Sequence, residues 1–156
     1  MSIIRQVQTM TLDDIQDYAN IQLVRAEKGS IPTQPGVYCH IDSTDRAVLY
    51  IGSASGSVGL KRRLGDEIRW IEESMGSHTD HAARRSANAA VIAGLAEHAT
   101  VPYYLVTATT DEAKNWERRL VQLCVVLTGA PPLLRGWNLR GASLDAFRWA
   151  VSRGRA

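Results

Sequence analysis

The chain has 156 residues, 45% of them apolar and 22% charged, with 12 Gly, 5 Pro and 2 Cys. That suffices for one domain with a buried core and argues against disorder over most of the chain. Nowhere do about 18 apolar residues run together, and Arg5, Asp13 and Asp14 interrupt the start, so the reading is cytoplasmic, with no membrane span or secretory leader.

The net charge of +2 is uneven. From residue 135 on, Arg135, Arg140, Arg148, Arg153 and Arg155 face only Asp145, a surplus of +4 that leaves −2 for the residues before them. Such an end suits a phosphate backbone, or simply keeps the chain soluble. Cys39 and Cys124 fall in different predicted elements with no partner at metal-ligand spacing. They read as small buried hydrophobes, not as a disulfide or a zinc site.

In chain order, Thr11-Leu12-Asp13-Asp14 resembles a capping box, and Ile15, Tyr18, Ala19, Gln22, Leu23 and Ala26 follow at helical spacing as far as Gly29. A first helix is predicted over 12–28. Pro32 and Pro35 then break the chain.

Residues 36–52 read as a hairpin, with two β-branched and aromatic runs around the turn-rich Asp42 to Arg46. A five-residue loop sets Ile41 opposite Ala47, Cys39 opposite Leu49 and Val37 opposite Ile51 on an apolar face. The other face then pairs Tyr38 with Tyr50 and His40 with Val48.

Beyond a Gly- and Ser-rich loop, Leu60, Leu64, Ile68 and Ile71 predict an amphipathic helix over 59–74 that carries Lys61, Arg62, Arg63 and Arg69. A polar connection holding His78, Asp80 and His81 leads to an Ala-rich helix over 82–98. His78 and His81 read as solvated loop residues more readily than as metal ligands. A third strand is predicted over 101–109 and a fourth helix over 111–128, opened by Thr and acidic residues and closed by Gly129. Residues 130–138 form an irregular Pro-containing loop, and a short helix starts at Ser143.

The fourth helix holds an anomaly. Its apolar stripe is Ala113, Trp116, Leu120, Val121 and Cys124, and Glu117 falls inside it. A carboxylate there needs an Arg, a hydrogen-bond network or a metal ion.

The hairpin's Gly36-Val37-Tyr38 and, eleven residues on, Tyr50-Ile51-Gly52 resemble the signature of the GIY-YIG nuclease family, with Val in place of the first Ile. The resemblance extends to Arg63 within Leu60-Lys61-Arg62-Arg63-Leu64, with Arg62 its rival, to Glu117 on a helix after the third strand, and to Asn138 after a Pro-containing loop. Glu67 stands where the family tends to have His or Tyr. Together these positions span about two-thirds of the chain.

The fold so implied is an α/β (α+β) sandwich: a three-stranded, mostly antiparallel sheet flanked by helices, with helical additions at both ends. It divides into an extension over 1–30, a nuclease-like domain over 31–141 and a basic tail over 142–156. The resemblance implies hydrolysis of a phosphodiester bond in DNA with one divalent metal ion, Mg²⁺ or alternatively Mn²⁺. In that scheme Glu117 holds the metal, Tyr38 takes the proton of the attacking water, Tyr50 hydrogen-bonds the phosphate or nucleophile, and Arg63 neutralises phosphoryl charge. Asn138 fixes the metal's surroundings or the loop. His40, Gly52, Ser53, Arg62, Glu67, His78 and His81 are peripheral candidates, and Lys61, Arg62, Arg69, Arg148, Arg153 and Arg155 are candidates for holding DNA. Two other readings stand beside this one: a catalytically inactive nucleic-acid-binding module of the same fold, and a protein-interaction domain docking through the first helix. DNA is the expected partner, with no membrane, and a homodimer is one option for the oligomeric state.

Overall fold

The structure, a computed structural model, describes residues 10–76 and 100–129. Its elements are helix α1 (Leu12–Ala19), strands β1 (Val24–Arg25), β2 (Gly36–Asp42) and β3 (Val48–Ala54), helix α2 (Gly59–Gly76), strand β4 (Thr100–Val106) and helix α3 (Thr110–Thr128). The predicted helices over 82–98 and from 143, and the residues His78, His81, Asn138, Arg148, Arg153 and Arg155, lie outside the described residues.

The sheet is antiparallel with strand order β1-β4-β2-β3, so β2 is an inner strand. Among the described residues it has four strands where three were expected. The addition is β1, whose Val24 and Arg25 pair with Tyr104 and Tyr103. Both its residues are exposed, and two residues are too few for an alternating pattern.

β1 lies where the first helix was expected to continue. The capping box forms as read, with Thr11 Oγ1 accepting from the Asp14 amide at 3.2 Å and the Asp14 carboxylate accepting from the Thr11 amide at 2.9 Å. The helix stops at Ala19 because Asn20 takes the left-handed conformation, φ 53° and ψ 47°. Met10, Leu12, Ile15 and Leu23 are nevertheless buried in the same apolar cluster as Val37, Cys39, Ile41, Ile51, Leu120 and Cys124.

Side chains alternate across β2, so Val37, Cys39 and Ile41 face α1 and α3 while Tyr38 and His40 face α2. The hairpin register differs from the one counted outward from the turn. Tyr38 lies opposite Gly52, Cys39 opposite Ile51, His40 opposite Tyr50 and Ile41 opposite Val48, with an irregularity between His40 and Ile41. The extra residue is Leu49, a β-bulge that sends Val48 into the apolar cluster and shifts Tyr50 two places along β2. Contacts from the N-terminal segment pin the turn end of the hairpin: the Val48 amide donates to the Met10 carbonyl at 2.8 Å and the Leu12 amide to the Arg46 carbonyl at 2.9 Å.

Candidate active site

The signature glycines answer to close contacts. A Cβ on Gly36 would strike the Leu105 carbonyl oxygen and come within 2.5 Å of Leu60 Cδ1. One on Gly52 would sit 2.6 Å from both Cζ and Oη of Tyr38 and 2.7 Å from Cε1 of Tyr50. Gly52 is thus the floor on which the Tyr38 phenol rests. Gly52→Ala is expected to cost about 1–3 kcal/mol by overpacking. The midpoint of urea denaturation checks this, and an unchanged midpoint would mean that the phenol has room to move.

Above that floor lies a buried polar cluster. Leu60 and Leu64 anchor α2 with no exposed surface, and Glu67, three residues on, is as deeply buried. Tyr38 Oη donates to Glu67 Oε2, and Arg63 Nε approaches that same oxygen at 2.6 Å and Tyr38 Oη at 3.2 Å. His40 Nε2 holds the other carboxylate oxygen, Oε1, at 2.9 Å. Tyr38, His40 and Glu67 are each 0% exposed. Tyr38 and Tyr50 are not opposite one another, yet their ring centroids are 6.1 Å apart because the two residues are diagonal neighbours on one face.

Electrostatics follow from burial. Desolvation, then the Glu67 charge and Tyr50, hold the Tyr38 phenol well above the usual tyrosine range, with Arg63 pulling against them. Desolvation and the Glu67 charge push Tyr50 up to about 12; Arg63 and a hydrogen bond with Tyr38 oppose this, and Glu117 adds to it. Desolvation works to lower Arg63, but Tyr38, Glu67 and Tyr50 outweigh it and keep the guanidinium charged.

Both phenols keep their protons longer folded than unfolded, so their contribution to stability is intact below about pH 10 and lost as pH climbs toward and past the folded values. Cys39, pushed up to about 12 by burial, acts in the same direction from about pH 9. Stability is expected to fall steeply between about pH 9 and 12, and to fall less in Tyr50→Phe. Denaturation midpoints across that range check it, and equal alkaline losses in both proteins would contradict it.

Arg63 is the arginine that enters the cluster, while Arg62 stays exposed. Its side chain keeps 41% of its surface and lines a polar cavity of about 450 Å³ together with residues 53–59, Arg62 and Asp66. Ser53, on that cavity's wall, donates through Oγ to Glu117 Oε2 at 2.7 Å. Glu117 is half-buried at the margin of the stripe formed by Ala113, Leu120 and Cys124, and its hydrogen-bond partner is a serine. Its link to the tyrosine cluster is the effect of its charge on Tyr50.

Lys61, Arg62 and Arg69 are all exposed on α2, and Arg69 pairs with Asp66 at 3.1 Å. Among the described residues there is no group of three or more His, Cys, Asp or Glu that could hold a metal ion. Nor is any described helix long and apolar enough to cross a membrane.

No family model matches the chain, and no curated protein matches it. Among solved structures, the chain is similar to the GIY-YIG N-terminal endonuclease domain of UvrC from Thermotoga maritima, bound to its catalytic divalent cation, magnesium. The identity is 22% and the TM-score 0.36, over 61% of this chain and 82% of that domain. So slight an overlap decides nothing about function.

Proposed function

We propose that the protein is an endonuclease that hydrolyses phosphodiester bonds in DNA with one divalent metal ion, Mg²⁺ or Mn²⁺. One observation carries the reading. Residues of the GIY-YIG-like pattern, far apart in the chain, are brought together around β2 and β3. Tyr38, Tyr50 and Arg63 meet against α2, Arg63 and Ser53 line one polar cavity, and Ser53 donates to Glu117.

Glu117 fits a Mg²⁺ site. Mg²⁺ keeps several waters and takes one or two carboxylates plus phosphate oxygens, so one half-buried carboxylate bonded to a serine on the cavity wall is an adequate protein contribution. When bound, the ion supplies charge to the scissile phosphate and the leaving oxygen. Ser53 orients the carboxylate that holds it. Arg63, charged and half-exposed, faces the cavity and balances charge on the phosphoryl oxygens. Tyr38 receives the proton of the attacking water, and Tyr50 beside it hydrogen-bonds the nucleophile or phosphate. Lys61, Arg62 and Arg69 hold the flanking backbone without reading sequence. Asn138 keeps the supporting role that the resemblance implies, and Arg148, Arg153 and Arg155 keep the phosphate-holding role read from the charge of the basic end.

A second reading has one observation in its favour. Tyr38 has no exposed surface, which a nucleic-acid-binding module that cuts nothing would tolerate. Incubating supercoiled plasmid with the protein in Mg²⁺, with EDTA as control, separates the two. Nicked and linear DNA that appears only with the metal supports the nuclease. Retarded but uncut DNA supports the binding module.

A further inference from the structure

The Tyr38 phenol holds its proton firmly, because burial and the adjacent Glu67 charge both oppose a phenolate. A tyrosine that had to ionise to solvent before each turnover would seldom be ready at neutral pH. Its hydroxyl, however, already donates to an ionisable group, and that group is built in: Glu67 has no exposed surface, accepts from Tyr38 on Oε2 and is held on Oε1 by His40 Nε2 at 2.9 Å. Arg63 Nε lies 2.6 Å from Glu67 Oε2 and 3.2 Å from Tyr38 Oη, so one guanidinium stands beside both oxygens between which a proton would pass.

We propose that Glu67 is the terminal proton acceptor of the hydrolysis, a positioning residue that acts through Tyr38, with His40 holding its carboxylate in line. The proposal rests on the nuclease reading. In the step, the attacking water gives a proton to Tyr38 Oη as Tyr38 gives its own to Glu67 Oε2. The water oxygen bonds to phosphorus, the bond from phosphorus to the leaving sugar oxygen breaks, and that oxygen takes a proton from solvent. Tyr38 ends as it began, a neutral phenol, and the buried negative charge is cancelled on Glu67. After product release Glu67 returns the proton through the same hydrogen bonds. The groups facing Tyr38 are Arg63 and Glu67 from α2, His40 on its own strand, Tyr50 from β3 and, opposite in register on β4, Tyr104. Of these, Glu67 is the carboxylate within hydrogen-bonding reach.

A phenolate base and a carboxylate acceptor differ in their pH profiles. Single-turnover cleavage of a labelled duplex in saturating Mg²⁺ is to be followed between about pH 7 and 10 for the wild type, Glu67→Gln and Glu67→Asp. The wild-type rate should lack a unit-slope rise. Glu67→Gln should lose at least about 100-fold at neutral pH, and its residual rate should then climb tenfold per pH unit, because only a phenolate is left to act. Glu67→Asp, which keeps a carboxylate at shorter reach, should recover part of the rate and the flat profile.

A rate in Glu67→Gln close to wild type, or a lowered rate whose profile runs parallel to wild type, would overturn the proposal, since loss of packing alone lowers a rate without reshaping it. A unit-slope rise in the wild type would also overturn it. Should Glu67→Gln fail to fold, Glu67→Asp decides: a flat profile supports the proposal and a rising one overturns it. Absence of Mg²⁺-dependent cleavage by the wild type would overturn the nuclease reading as well, whereas cleavage with parallel profiles overturns this proposal alone.

Discussion

Glu117→Ala is expected to lower DNA cleavage at least about 1,000-fold while the protein stays folded. The magnitude comes from the metal, whose charge is worth several kcal/mol to a phosphoryl transition state, at about 1.4 kcal/mol per tenfold in rate. Survival of the fold follows from the residue's place. Glu117 is half-buried, and its Ser53 partner can turn to water, so stability should drop by no more than about 1 kcal/mol. Single-turnover rates at saturating DNA, with far-ultraviolet dichroism as the folding check, make the measurement. Wild-type activity in a folded Glu117→Ala protein would remove the metal from this carboxylate.

Tyr38→Phe should cost at least about 100-fold in rate, the range for lost proton-transfer catalysis. The ring keeps its seat on Gly52, so what disappears is the hydroxyl shared by Glu67 and Arg63. Because Glu67 is buried, the loss of that donor should also lower stability by about 1–3 kcal/mol. The rate must therefore be compared on folded protein at saturating DNA, where a stability effect drops out. A rate near wild type would move the proton acceptor to another residue.

How much of this was legible in the chain depended on whether the signal was local. The capping box at Thr11, the terminating Gly129 and the hairpin's two runs are local patterns, and each forms as read. The hairpin register is not local. A bulge at Leu49 leaves no mark in alternation, and the N-terminal contacts at Ala47 and Val48 come from residues more than 30 positions away.

Glu117 was found because a carboxylate broke an apolar stripe. Glu67 was read as a peripheral candidate on the resemblance alone; the same logic applied to α2 would have marked it for burial, since it continues the series Leu60, Leu64 at the spacing of the helix's inner face. Four residues after Arg63, it also has the spacing of an ordinary surface ion pair. That its carboxylate is buried, and that His40 closes its other end, depends on a strand 27 residues away. Arg62 and Arg63 were likewise inseparable by composition. Their difference is 100° of helix rotation, which turns only one of them toward Tyr38.

The most direct measurement is the single-turnover rate of cleavage of a labelled DNA duplex as Mg²⁺ is titrated into metal-free wild-type protein. The reading of one ion held by one carboxylate predicts no cleavage in EDTA and a rate that rises hyperbolically to saturation. Cleavage that persists in EDTA, or folded protein that binds the duplex and cuts nothing at any Mg²⁺ concentration, would contradict it.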